Sequence, residues 1–310
     1  MPAGASPPRP RGRFAPSPTG PLHFGSLIAA LASYCDARAR GGEWLLRIED
    51  VDEPRSRKGA EDAILSTLAR YGFVWDGPVE RQSARSSRYQ AALATLIRND
   101  QAYPCGCTRR ALEPVPLGAG GERVYPGTCR EGVPDDRVGQ RKRAWRVRVE
   151  EAPVSFSDRL QGPQSQALSR DVGDFVVKRS DGLFAYQLAV VVDDAEQAIT
   201  DVVRGADLLS STPRQIHLQR LLGTVPLTYL HIPVAINASG EKLSKQTHAL
   251  ALPDDALQPL LAAWHFLDQP EPSRDRLPDV AAFWRHALAC WSPARLPPVS
   301  MLPAPARFVG

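Results

Sequence analysis

No stretch of this 310-residue chain approaches the roughly eighteen uninterrupted apolar residues that a membrane helix needs. Its first ten residues are Pro-rich with no apolar centre, which does not resemble a signal peptide and suggests a disordered tail over residues 1–10. Cysteine is scarce as well. Five in a chain of this length argue against a disulfide framework, so any close group of thiols needs another explanation. The net charge of +4 is modest, although basic residues concentrate in Arg109-Arg110 and in Arg141-Lys142-Arg143 with Arg146 and Arg148. That concentration fits either a polyanion contact or a solvated strand edge guarded by charge. There is no internal repeat, and low complexity is confined to the Pro-rich ends. Together these absences predict a cytoplasmic protein with no membrane partner. With 43% hydrophobic residues, the chain can build the core of one large domain or two small ones.

What the chain does contain is two short stretches near its opposite ends with complementary chemistry. The first begins with the extended Arg13-Phe14-Ala15-Pro16-Ser17-Pro18-Thr19-Gly20, passes through Pro21-Leu22-His23-Phe24-Gly25-Ser26 and enters the apolar Leu27-Ile28-Ala29-Ala30-Leu31. It reads as strand, Pro/Gly turn and helix. A helix starting between His23 and Ser26 presents backbone N–H groups and the positive end of its dipole to an anion; Gly25 allows close approach and His23 adds a donor. Taken alone, the same residues also suit a capped surface helix. The second stretch, Asn237-Ala238-Ser239-Gly240-Glu241-Lys242-Leu243-Ser244-Lys245, reads as a mobile loop carrying two ammonium groups. Lys242 and Lys245 suit charge growing on phosphate oxygens during attack at phosphorus, though a two-lysine loop alone is ordinarily a solvated surface. As a pair, the stretches supply what is needed to hold the triphosphate of ATP from two sides.

Between them the pattern alternates as an α/β fold does. Trp44 to Ile48 reads as a strand ending in Glu49-Asp50, and Ala60 to Tyr71 and Ser86 to Asn99 have helical spacing. Phe175 to Lys178 and Phe184 to Val192 read as strands joined by a Ser180-Asp181-Gly182 hairpin turn, the second delivering Asp193-Asp194 at its C-terminal end, where open parallel sheets bind ligands. Ile199 to Gly205 reads as a further strand with Arg204 at its exit. Ser211-Thr212-Pro213 starts a helix through Leu222, and two more helices are expected around Ala256 to Leu267 and Val280 to Trp291. Cys105-Gly106-Cys107, followed by Tyr125 and Cys129, is either a closed zinc site or three buried cysteines. Cys35 and Cys290 read as core residues.

The two end motifs resemble the HIGH and KMSKS signatures of class I aminoacyl-tRNA synthetases. Arg13 to Gly20, Leu46-Arg47-Ile48-Glu49-Asp50 and Asp207-Leu208-Leu209-Ser210-Ser211-Thr212-Pro213-Arg214-Gln215 resemble the glutamyl branch, over about Arg11 to Ala251. One departure is Ser26 at the fourth position of the first signature, where a hydroxyl replaces a second imidazole. The resemblance implies a Rossmann-like catalytic domain with its first half at residues 11–100 and its second at 146–222. A zinc-binding insertion would fill 101–145, and 223–310 would hold the KMSKS-type loop and a short helical C-terminal region. It also implies structural Zn2+ on Cys105, Cys107, Tyr125 and Cys129, and ATP on His23, Gly25, Ser26 and Lys245, with Mg2+ accompanying the nucleotide. The implied glutamate pocket comprises Arg13, Ala15, Ser17, Glu49, Tyr186 and Arg204. Glutamate presents two carboxylates and one ammonium, so arginines, an acid and a phenol suit it; which arginine meets which carboxylate is left open, and Arg47 is an alternative partner for Glu49.

The implied first step is attack of the glutamate α-carboxylate on the α-phosphorus of ATP, with His23, Lys242 and Lys245 as the catalytic groups. Lys245 is placed on the developing phosphorus charge. The tail after Gln246 is far shorter than the helical anticodon-binding region of an ordinary glutamyl-tRNA synthetase. This and Lys242-Leu243-Ser244-Lys245-Gln246, with His248 and Ala249, resemble the short bacterial paralogues that activate glutamate without tRNA and attach it to queuosine in the anticodon of tRNA(Asp). A truncated enzyme charging the 3′ end of tRNA(Glu) is the alternative, and a monomer is expected.

Overall fold

Gly12, Arg13 and Phe14 are buried in succession, so the first strand has no solvent face and belongs inside a sheet covered on both sides. The computed structural model describes residues 9–118, 121, 123–134, 142–244, 249–271 and 278–309. Strand β1 (Arg11–Phe14) leads into helix α1 (Phe24–Arg38), which returns the chain to β2 (Glu43–Ile48), parallel to β1 with Arg13 opposite Leu45. Pro10 already accepts a hydrogen bond from Glu43 N–H at 2.9 Å, so pairing begins one residue before the strand. Helix α1 is buried on nearly all sides, and the small residues Ala30, Ala32 and Ala37 let it lie close against the sheet.

Helix α2 (Ala60–Arg70), strand β3 (Glu80–Arg81) and helix α3 (Ser86–Arg98) complete the first half, with β3 parallel to β2. Strands β4 (Ala102–Cys105), β5 (Ala144–Val147) and, later, β8 (Phe175–Lys178) form a separate antiparallel sheet in the order β4-β5-β8. Between them in sequence lie β6 (Val154–Asp158) and β7 (Gly162–Gln166), an antiparallel hairpin on the edge of the second half-sheet. Helix α4 (Tyr186–Glu196), strand β9 (Asp201–Gly205), helix α5 (Thr212–Leu222) and strand β10 (Thr228–Ile232) follow. Strand β10 runs parallel to β9 and to β6, giving the order β7-β6-β10-β9. Thr200 N–H donates to Arg11 O at 3.0 Å, setting the start of β9 beside β1 and joining the two parallel halves. The C-terminal ends of β1, β2, β9, β10 and β6 therefore open onto one edge, the ligand-binding edge of such sheets.

One expected element has a different conformation. Of the run expected to be a strand, Phe184 makes a single bridge to Lys178, and Tyr186 to Glu196 is helix α4. Val190, Val191 and Val192 are all buried, because α4 packs on α3 and α5 and has almost no solvent face. A helix buried on every side produces the same unbroken apolar text as a buried strand. Asp193 and Asp194 consequently leave the last turn of a helix, not a strand end.

Strands β11 (Val234–Ile236) and β12 (Met301–Pro303) pair in parallel, and helices α6 (Leu257–Phe266) and α7 (Val280–Cys290) pack on the catalytic core. Phe308 stacks on Phe24 with ring centroids 4.2 Å apart, and Trp284 donates its indole N–H to Tyr71 O. The C-terminal segment thus covers the outer side of α1 and is part of the main core. Among the described residues no helix is long and apolar enough to cross a membrane.

Candidate active site

The two end motifs meet in space. Helix α1 begins at Phe24 with His23 as its N-cap, and His23 Nδ1 accepts the backbone N–H of Ser26 at 3.4 Å. That bond assigns the neutral ring's proton to Nε2 and engages the Ser26 N–H within the chain. Leu22 O accepts from Leu252 N–H at 3.0 Å, and His23 bridges Ala251, so the segment after the lysine loop runs beside the helix start. The segment before it does the same. A Cβ at Gly25 would lie 3.5 Å from Leu243 O and 3.2 Å from the His23 ring, so a glycine keeps this corner open. Lys242 bridges Ile236 and forms an ion pair with Asp207, whereas Lys245 lies outside the described residues.

The candidate site has two walls of charged side chains, one at the ends of β1 and β2 and one at the end of β9. On one, Arg13 donates to Asp194 at 3.1 and 3.4 Å, and Arg47 donates to Asp194 at 2.7 Å and to Gln197 Oε1 at 2.5 Å. Asp193, one residue back, is held by Arg85 at 2.7 Å, Tyr89 at 2.9 Å and Gln82 at 2.8 Å. Burial would push the Asp194 carboxyl up, but Arg13 and Arg47 more than offset it and the net shift is downward. Glu49, just past the end of β2, is 3.6 Å from Arg47, and its N–H donates to Pro16 O at 3.0 Å. Its carboxyl is pushed up to about 7, chiefly by burial and against the pull of Arg47 and Arg13. Ala15 is half-buried and Ser17 exposed on the same outgoing segment.

On the other wall, Arg204 is buried at the end of β9 with neutral partners. Its Nε–H donates to His231 Nε2 at 3.0 Å, and Nη2 donates to Thr212 Oγ1 and Gln215 Oε1, each at 2.9 Å. Nη1 makes a single recorded bond, to Tyr186 Oη at a long 3.4 Å. Among the described residues no carboxylate lies within ion-pair distance of Arg204. The structure therefore brings Arg13, Glu49, Tyr186 and Arg204 close together and separates the arginines by partner: Arg13 pairs directly with Asp194, and Arg204 has only neutral direct partners. Sequence reasoning missed Asp158, His231, Thr212 and Gln215 around Arg204; a lone histidine inside the apolar Tyr229-Leu230-His231-Ile232 was the available signal.

Away from this pocket, the Sγ atoms of Cys105, Cys107 and Cys129 all lie within 4.8 Å of one another. Cys107 and Cys129 Sγ are 3.7 Å apart, and Tyr125 Oη is 3.3 Å from Cys105 Sγ and 3.6 Å from Cys107 Sγ. A tetrahedral zinc with the usual bond lengths needs roughly 3.8 Å between sulfurs and roughly 3.5 Å from oxygen to sulfur. The donor set and spacing fit such an ion. Burial alone would raise the Cys105 thiol, yet Tyr125, the Cys107 N–H and Arg146 bring it below the ordinary value. Arg146, grouped in sequence with the basic residues, is instead buried with its guanidinium 3.7 Å over the Tyr125 ring. Gly173, at φ 69°, touches the Tyr125 backbone so closely that any Cβ would collide with it. Cys35 is buried in the core and Cys290 half-buried against it.

A family profile described as tRNA synthetases class I (E and Q), catalytic domain, matches residues 10–259. A protein of Dechloromonas aromatica (strain RCB) named glutamyl-Q tRNA(Asp) synthetase is 55% identical over 299 residues, 96% of this chain and 98% of that one. This chain belongs to the glutamyl-Q tRNA(Asp) synthetase family. A Thiobacillus denitrificans protein of the same name is 54% identical, covering 95% of this chain and 98% of its own length. The fold of this family member matches a crystal structure of glutamate-tRNA synthetase from Elizabethkingia anophelis, with TM-score 0.78, 23% identity, and coverage of 96% of this chain and 68% of that chain. A glutamate tRNA ligase from Elizabethkingia meningosepticum matches with TM-score 0.76 at 24% identity, covering 96% and 67%. Both share the α/β fold of this chain, in agreement with the class I catalytic-domain profile.

Proposed function

We propose that this protein activates glutamate with ATP, without tRNA, and transfers the glutamyl group to queuosine at the wobble position of tRNA(Asp). The observation that carries the amino-acid half is the buried, carboxylate-free Arg204 facing Tyr186 across from Glu49. Free glutamate has two carboxylates and one ammonium, and a guanidinium with no direct ion pair offers one of those carboxylates a fork of N–H donors. The acceptor half is supported by near full-length relatives that bear the glutamyl-Q tRNA(Asp) synthetase name.

In this reading Glu49 takes the substrate ammonium. Arg204, fixed by several hydrogen bonds, takes the side-chain carboxylate, since the reacting α-carboxylate must stay free to approach phosphorus. The start of α1, with His23 and Gly25, receives the phosphates, and Mg2+ accompanies the nucleotide. An α-carboxylate oxygen bonds to the α-phosphorus, the bond to the bridging oxygen breaks, and pyrophosphate leaves. Lys245 and Lys242 stabilise the charge on the five-coordinate phosphorus; for Lys242 this means exchanging Asp207 for phosphate. A queuosine ring hydroxyl then attacks the acyl carbon, losing its proton as AMP departs. Cys105, Cys107, Tyr125 and Cys129 would hold a Zn2+ ion, which would supply a structural cross-link to this segment.

Labelled glutamate and ATP added to bulk tRNA from queuosine-containing cells should yield labelled tRNA, and tRNA from cells unable to make queuosine should yield none. Equal labelling of both preparations would instead assign the acceptor to the 3′ end.

A further inference from the structure

Three neighbouring strands carry one polar residue each into a line behind the pocket. Sheet order β6-β10-β9 sets His231 directly opposite Arg204 in register and Asp158 opposite Tyr229, from where its side chain reaches His231. None is solvent-exposed: His231 is wholly buried, and Asp158 and Arg204 are 3% and 6% exposed. Asp158 Oδ2 is 2.6 Å from His231 Nδ1, and His231 Nε2 is 3.0 Å from Arg204 Nε.

The donors and acceptors permit one arrangement. A guanidinium N–H can only donate, so His231 Nε2 must be the acceptor there; the ring proton then sits on Nδ1 and is donated to Asp158. Asp158 also accepts the backbone N–H groups of Leu160, Gln161 and His231 at 3.0, 2.9 and 3.1 Å. Burial would push its carboxyl up, but these bonds and His231 bring it below the ordinary range, so it stays ionised. Burial also lowers the His231 pKa and keeps the ring neutral, as Nε2 must be to accept.

We propose that Asp158 and His231 are positioning residues that fix the Arg204 fork for the side-chain carboxylate of glutamate, and so set the choice of glutamate over its amide. This inference rests on the reading of Arg204 given above. Thr212 and Gln215 anchor Nη2, but the plane of the guanidinium is set only when Nε is also held. With both edges fixed, Nη1 is the corner left toward Tyr186 and the substrate.

Asp158→Asn tests it at constant shape. Its oxygen would keep the backbone N–H groups, its amide would face Nδ1, and the ring proton would move to Nε2, setting two donors against each other at Arg204. In tRNA-free ATP–pyrophosphate exchange, this variant and His231→Asn should raise the glutamate KM roughly ten- to a hundred-fold, the effect of a displaced positioning group, with the ATP KM and kcat little changed. His231→Gln, which retains an acceptor near Arg204, should recover most of the loss. Arg204→Gln is measured alongside. If it raises the glutamate KM and the Asp158 and His231 variants do not, the positioning role is overturned while the reading of Arg204 stands; if Arg204→Gln has no effect, that reading falls and this inference with it. Should a variant fail to fold, nitrogen NMR of 15N-histidine-labelled unmodified protein decides the same point: His231 must carry its proton on Nδ1, and a proton on Nε2 would overturn the arrangement.

Discussion

The two walls of the pocket use the same residue type for opposite ends. Around Arg13 and Arg47, charge is saturated: Asp194 faces both guanidiniums, and Asp193 is closed off by Arg85, Tyr89 and Gln82. Around Arg204 every direct hydrogen-bond partner is neutral, and the ionised Asp158 reaches it only through His231, so the fork has no direct ion pair. The first arrangement ties α4 to β1 and β2. The second leaves N–H donors of the fork available to an incoming anion. A buried arginine is therefore informative about ligand binding only once its counter-ions have been counted.

The largest expected effect lies on the saturated wall. Asp194→Asn leaves Arg13 and Arg47 without their shared counter-ion, and thermal or urea unfolding should show a loss of about 3–5 kcal/mol. A stability unchanged by that substitution would mean the cluster is not the strut described here. Next comes the other wall: Arg204→Gln should raise the glutamate KM roughly a hundred-fold, or nearly 3 kcal/mol in binding, with little loss of stability. A variant that unfolds easily yet binds glutamate normally would reverse the assignment of the two walls.

The smallest effect concerns Glu49, which stands between the walls. Its carboxyl is pushed up to about 7, above its unfolded value, so the protein binds an extra proton there and loses stability as pH rises from the unfolded value through about 7. Above pH 7 the ionised form is in place to receive an ammonium. The glutamate KM should accordingly rise as pH falls below about 7, approaching ten-fold per unit. Glu49→Gln should bind glutamate weakly at every pH and flatten that profile; an unaltered profile would exclude Glu49 as the titrating group.

Much of this was legible in the sequence. The helix start at His23, the strands ending at Glu49 and Arg204, and the Cys105-Gly106-Cys107 cluster all lie on short local patterns that fix their own surroundings. What escaped depends on neighbours distant in sequence. Helix α4 reads as a strand because packing on both sides hides its helical period, and Asp193 and Asp194 acquire meaning only opposite Arg13, Arg47 and Arg85. The basic character of Arg146 likewise suggests a surface, whereas the fold places it against Tyr125. His231 and Asp158 meet because β6 and β10 pair, a fact of topology that no spacing encodes.

That Arg204, lacking a direct ion pair, selects a side-chain carboxylate is tested most directly by tRNA-free ATP–pyrophosphate exchange with glutamate and with glutamine. The two amino acids have nearly the same shape and differ in charge. Exchange is expected with glutamate, with at least a hundred-fold lower kcat/KM for glutamine, consistent with a site built around one charged partner. Equal exchange with both would contradict it.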